Sequence, residues 1–136
     1  MKKVFQTDQR DDTGDCVRAC IASIFERDIE TVPNFWLETQ NSVDFWSYLN
    51  NWSKSELGCS SILMKLFKDS HKDFIDGLLC VAIGESSQGF EHAVVWKDGM
   101  IHNPSKNGGE LSQEPKLFLI FCPTNIYKNT MKQGTP

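Results

Sequence analysis

The chain has 136 residues, 40% of them hydrophobic, with nine Phe, four Trp and a net charge of −4. That length suits a single domain spanning 1–136 with a core of its own. Apart from Lys2-Lys3, Lys and Arg are scattered singly, which argues against nucleic acid as a partner, because phosphate binding needs clustered basic residues.

Met1-Lys2-Lys3 runs directly into Val4-Phe5-Gln6-Thr7-Asp8, with no apolar stretch of the kind an export signal needs. The longest apolar runs, near Leu78–Ile83 and Leu117–Cys122, are far too short to span a bilayer. A cytoplasmic protein with no membrane partner is the expectation. The five cysteines, at 16, 20, 59, 80 and 122, then read as thiols and not as a disulfide framework. No C-x-x-C pair and no Cys/His group with zinc-site spacing occurs, so neither a metal nor another cofactor is expected.

Residues 1–15 are polar, with Asp8, Asp11, Asp12 and Asp15 and a Thr13-Gly14 turn signal. From Cys16 to Phe25 the apolar residues fall at 16, 17, 20, 21, 24 and 25, the spacing of a helix buried along one face. Asp15 is the expected N-cap, its side chain accepting from first-turn amides, so Cys16 takes the first helical position. Asp28 to Phe35 reads as a connector, with Pro33 ending helical continuation. A second helix is expected over about Ser42–Glu56, closed by Gly58. Between 59 and 76 the pattern stays open, with Ile62–Phe67 a possible strand and Asp69–Asp76 a short helix or turn. The second half reads as β. Leu78–Ile83 forms one strand, Gly84–Gly89 a Ser/Gly loop and Glu91–Trp96 another strand. Lys97-Asp98-Gly99 is a hairpin turn into Met100–Asn103, which Pro104 stops. Lys106–Gly109 is a loop, Leu117–Cys122 a last strand, and 123–136 a tail. Helices followed by a small antiparallel sheet make an α+β domain.

A cysteine at a helix start is chemically special, because free amides and the helix dipole favour its thiolate. Its own amide can also donate to a developing oxyanion. His92 opens the strand after the loop, with Val94 and Trp96 on its face and Ala93 and Val95 on the other. Asn103 lies across the hairpin, opposite or diagonal to His92 and within side-chain reach. A Cys–His pair with an Asn or Asp orienting the ring is the logic of nucleophilic thiol catalysis.

The segment Gly14-Asp15-Cys16-Val17-Arg18-Ala19-Cys20-Ile21-Ala22-Ser23-Ile24 resembles the nucleophile helix of papain-like cysteine proteases. It is most similar to the bacteriocin-leader processing branch, in which Asp-Cys-x-x-Ala-Cys opens the helix. His92-Ala93-Val94-Val95, a Gly turn and Asn103-Pro104 are similar to that branch's His-x-Val-Val and Asp-Pro. The resemblance covers both ends of the chain and leaves about 28–75 uncovered. It implies a papain-like fold with Cys16 as nucleophile, His92 as base, Asn103 as orienter and Gln6 as oxyanion donor. Gln6 lies ten residues before Cys16, a longer spacing than is usual in the family, and Gln9 is the alternative. Asn103 stands where the branch has Asp, and Val17 where Gly is usual.

Cys20, one turn past Cys16, reads as a core residue, as do Cys59, Cys80 and Cys122. His102 is expected to face solvent, His71 to lie on the surface, and Trp36, Trp46, Trp52 and Trp96 to pack inside. The acidic residues 8–15 are expected to form a solvated loop. The expected function is a cysteine-dependent hydrolase acting on a peptide, isopeptide or side-chain amide bond of a protein or peptide substrate. The alternative is an inactive papain-like module that grips a protein partner. Residue types and spacing leave the substrate and the oligomeric state open.

Overall fold

A computed structural model describes residues 1–8, 15–40, 44–66, 71–87, 89, 91–106 and 110–124. Helix α1 runs Cys16–Ile24, beginning at the expected residue. Ala19, Cys20, Ile21, Ala22 and Ser23 are all buried, so the helix is enclosed well beyond one stripe. Ser23 is tolerated there because its hydroxyl donates to the Ala19 carbonyl at 2.8 Å and accepts the Val4 amide at 3.0 Å.

A 3₁₀ turn at Ile29–Thr31 leads into a short helix, α2, at Phe35–Thr39. The connector expected over Asp28–Phe35 thus ends in a helix start. Pro33 lies just before that helix, where it breaks no helical bond, and the Asn34 side chain caps it by accepting the Leu37 amide at 3.3 Å. Helix α3 is Phe45–Trp52 and continues as a π turn at Ser53–Leu57, until Gly58 stops it at φ 66°. This matches the expected second helix; its first residues, 42 and 43, lie outside the described residues. Phe35 joins α2 to α3 by edge-to-face contacts with Phe45, Tyr48 and Trp52 at 6.2, 5.9 and 5.5 Å. Truncating so buried a ring to Ala costs about 3–5 kcal/mol.

The strands are β1 (Cys59–Lys65), β2 (Cys80–Glu85), β3 (Glu91–Trp96), β4 (Met100–His102) and β5 (Leu117–Pro123). A one-turn helix, α4 (His71–Phe74), lies between β1 and β2. In the open segment 59–76 the described residues form a strand and a helical turn, and 67–70 lie outside them. The sheet is antiparallel in order β1-β5-β2-β3-β4, so the last strand inserts between β1 and β2. The architecture is α+β. The expected turn forms, with Asp98 at φ 57° and Gly99 at φ 138°.

Both faces of the central strands are covered. Val81, Ile83, Ala93, Val95 and Leu119 pack with Ile21 and Ala22 of α1 and with Phe35, Phe45 and Leu49. On the reverse face Cys80, Ala82, Val94, Trp96 and Phe118 pack with Leu66 and Ile75. Enclosure on two sides explains why β2 and β3 read as continuous apolar runs instead of alternating ones. Part of the Lys106–Gly109 loop (107–109), most of the C-terminal tail (125–136) and the Thr13-Gly14 turn lie outside the described residues.

Candidate active site

Among the described residues β4 pairs only with Val95 and Trp96 of β3, so no described strand covers that edge of the first half of β3. Helix α1 packs on β3. Cys16 is half-buried, and the backbone at Ala93, at Val17 and at Cys16 itself lies where it favours the ionised thiol. The thiol thus sits beside the residue that follows His92. Among the described hydrogen bonds, none joins the thiol to the imidazole directly.

These amides favour a thiolate, as expected of a helix start, but they do not dominate. Burial raises the Cys16 thiol above its ordinary 9.0, against the lowering by Ala93 and Val17, and the Asp15 carboxylate adds to the rise. The expectation of a lowered thiol is corrected here: desolvating a charged sulfur outweighs the amides.

His92 is buried and lies directly opposite Gly84 of β2. Asn103 comes one residue past β4, opposite Val94 if the register is continued, and so diagonal to His92 on one face. His92 Nε2 and Asn103 Oδ1 are 2.8 Å apart. The same Oδ1 accepts the Ser105 backbone amide at 3.0 Å, and an N–H can only donate, so that atom is the oxygen. Nε2 must then carry the proton, and the lone pair lies on Nδ1, where a base needs it. Burial lowers the His92 pKa below 6.5, with the Asn103 hydrogen bond partly opposing, so the ring is neutral at pH 7.

Gln6 lies against this corner. Its backbone amide donates to the Pro104 carbonyl at 2.9 Å, and its side-chain Nε2 donates to the Asp8 carbonyl at 3.1 Å. Gln9, the rival donor, lies outside the described residues, as do Asp11 and Asp12.

Asp15 differs from its expected role. It is the residue before α1, but its side chain caps no helical amide. The buried carboxylate accepts the Thr7 amide at 3.1 Å, the Thr7 hydroxyl at 2.6 Å and the Asp8 amide at 3.2 Å. Arg18 Nη1 stands 3.4 Å away, while its Nε donates to the Val32 carbonyl at 2.6 Å. A residue read as part of a solvated acidic loop is a buried anchor, because the returning N-terminal segment and Arg18 supply donors that replace water. No sequence signal distinguished it from an ordinary N-cap.

His102 also departs from expectation. It is buried, with Nε2 2.7 Å from the Val4 carbonyl, because segment 1–8 covers the edge its ring faces. Cys20, Cys59 and Cys80 are buried and Cys122 is half-buried; all five cysteines are free thiols. Trp36, Trp46 and Trp52 pack against the core, and Trp96 lies edge-on to Phe118 at 5.9 Å. The His71 side chain lies outside the described residues.

Among the described residues no group of His, Cys, Asp and Glu could hold a metal ion, and no helix is long and apolar enough to cross a membrane. Comparisons with protein-family models, with curated proteins and with solved structures found no match.

Proposed function

We propose that this protein is a cysteine-dependent hydrolase of papain-like architecture, acting on a peptide, isopeptide or side-chain amide bond of a protein or peptide. The observation that carries the reading is the His92–Asn103–Ser105 arrangement, which fixes the imidazole with its lone pair on Nδ1. The helix-start cysteine beside Ala93 and the neighbouring Gln6 add to it.

Thiol and imidazole are both neutral at rest, the one raised and the other lowered by burial. The proton therefore leaves Cys16 as its sulfur attacks the carbonyl carbon, and passes to Nδ1 of His92. Imidazolium, held through Nε2 by Asn103, then gives that proton to the leaving group. The Cys16 amide and the Gln6 carboxamide are the donors for the oxyanion. Water, deprotonated by His92, releases the acyl group. The cytoplasm is the proposed compartment, where free thiols stay reduced.

A second reading, an inactive module that grips a partner, is favoured by one observation: the Gln6 amide is engaged by the Asp8 carbonyl. The deciding experiment treats the wild type and His92→Ala with 4-nitrophenyl acetate, locating the acetyl group by peptide mass spectrometry. The enzyme reading expects Cys16 to be acetylated at least about tenfold faster than Cys122, with that excess lost in His92→Ala. Cys16 reacting no faster than Cys122 would sink it in favour of the binding module.

A further inference from the structure

Asp15 is the one buried carboxylate among the described residues, and the chemistry proposed above gives it no task. Burying a carboxylate costs several kcal/mol unless hydrogen bonds and a countercharge replace its water. Here the donors come from Thr7, Asp8 and Arg18. Each of these partners can only donate at the atoms involved, the Thr7 hydroxyl excepted, so the site wants a group with acceptors alone.

Two further facts bear on what this serves. The Val17 and Arg18 amides, which an Asp N-cap would be expected to engage, make no hydrogen bond to the Asp15 side chain, and the backbone at Val17 and Cys16 favours the ionised Cys16 sulfur. The carboxylate is turned away from them and toward segment 6–8. There it fixes the amide of Asp8, and the carbonyl of that same Asp8 accepts the side-chain Nε2 of Gln6 at 3.1 Å. The path from nucleophile to carboxamide is thus short: Cys16, the preceding residue Asp15, Asp8, Gln6.

We infer that Asp15 is a positioning residue that sets the Gln6 carboxamide relative to the Cys16 sulfur, with the Thr7 hydroxyl as its closest partner. The inference rests on the reading of Cys16 as nucleophile and Gln6 as oxyanion donor. Because Asp15 adjoins Cys16 in the chain, little slack separates the two. Oxyanion donors act over tenths of an ångström, and a displacement near 1 Å costs on the order of a hundredfold in rate.

The test compares two reagents at Cys16. With 4-nitrophenyl acetate the sulfur bonds to the acetyl carbon through a tetrahedral oxyanion and 4-nitrophenolate leaves. With iodoacetamide the sulfur displaces iodide at a saturated carbon and no oxyanion forms. The readout is the ratio of acylation to alkylation rates in wild type, Asp15→Asn, Thr7→Val and Thr7→Ser. Thr7 is exposed, so Thr7→Val keeps the fold even where Asp15→Asn does not. The expected result is a ratio lowered about tenfold in Thr7→Val, with Thr7→Ser near wild type. An unchanged ratio in Thr7→Val, or an equal fall with both reagents, overturns the positioning role while leaving the catalytic reading intact. A wild-type Cys16 with no acylation preference over Cys122 removes the catalytic reading, and this inference with it.

Discussion

His102 Nε2 lies 2.7 Å from the carbonyl oxygen of Val4, closing a contact across 98 residues of sequence. A carbonyl only accepts, so Nε2 carries the proton, and the Phe5 ring packs edge-on against the imidazole at 5.0 Å. On its other side the same segment is held by α1, with the Val4 amide on Ser23 Oγ and the Lys2 amide on the Ser23 carbonyl. His102→Leu takes the shorter of two donors from the Val4 carbonyl, leaving the Ser23 hydroxyl at 3.3 Å, at a cost of about 1 kcal/mol. A lower urea midpoint is expected, together with faster hydrogen exchange at the amides of Val4 and Gln6. Unchanged exchange at Gln6 would mean that its bond to Pro104 is held independently of His102.

The tautomer argued for His92 is directly measurable. In Asn103→Leu both the Nε2–H of His92 and the Ser105 amide lose their acceptor, so acylation of Cys16 should fall by about a hundredfold or more. Asn103→Asp keeps the acceptor and adds a charge that favours imidazolium, against the lowering by burial. Its His92 resonances should therefore titrate at higher pH than in wild type. Titration at the same pH in both proteins would contradict the Nε2–Asn103 bond.

How far the sequence could be read depended on how local each determinant was. The start of α1, the Asp98-Gly99 turn and the His92/Asn103 diagonal all follow from spacing within a few residues or across one hairpin. Asp15 and His102 depart from the sequence pattern for one common reason. Each meets segment 1–8, and nothing in the pattern of Val4-Phe5-Gln6-Thr7-Asp8 announces that it folds back between α1 and β4. Helix α2 escapes the pattern because Pro33 reads as an end signal, although Asn34 after it is a good start signal. The rise of the Cys16 pKa was beyond reach for a different reason. The amides that lower it belong to the helix start, but the burial that raises it is a property of the assembled core.

Reactivity of Cys16 should follow its raised pKa. With the thiol above 9.0, the thiolate fraction is small at neutral pH and grows through pH 9 and beyond. Alkylation by iodoacetamide, read on the Cys16 peptide, should therefore climb steadily from pH 6 to pH 10 without an acid-side plateau. A plateau of fast labelling below pH 7 would mean a preformed thiolate–imidazolium pair, and the neutral resting state described above would be wrong.

Stability should report the state of His92 independently of any reaction. Burial lowers its pKa in the folded protein below the 6.5 of the exposed ring. Between those two values the unfolded chain binds more protons than the native one, so the stability contributed by the neutral, buried ring is fully present above about pH 6.5. It is lost as the pH falls through the folded value. Urea unfolding of wild type at pH 7.5, 6.0 and 5.0 should show a progressive decline, less steep in His92→Gln, whose side chain does not titrate. The comparison rests on the difference between the two proteins and not on the wild-type slope, because the other ionisable groups are common to both. Parallel declines would show that His92 takes up its proton equally in both states, which is incompatible with a ring held neutral by burial and fixed through Nε2 on Asn103.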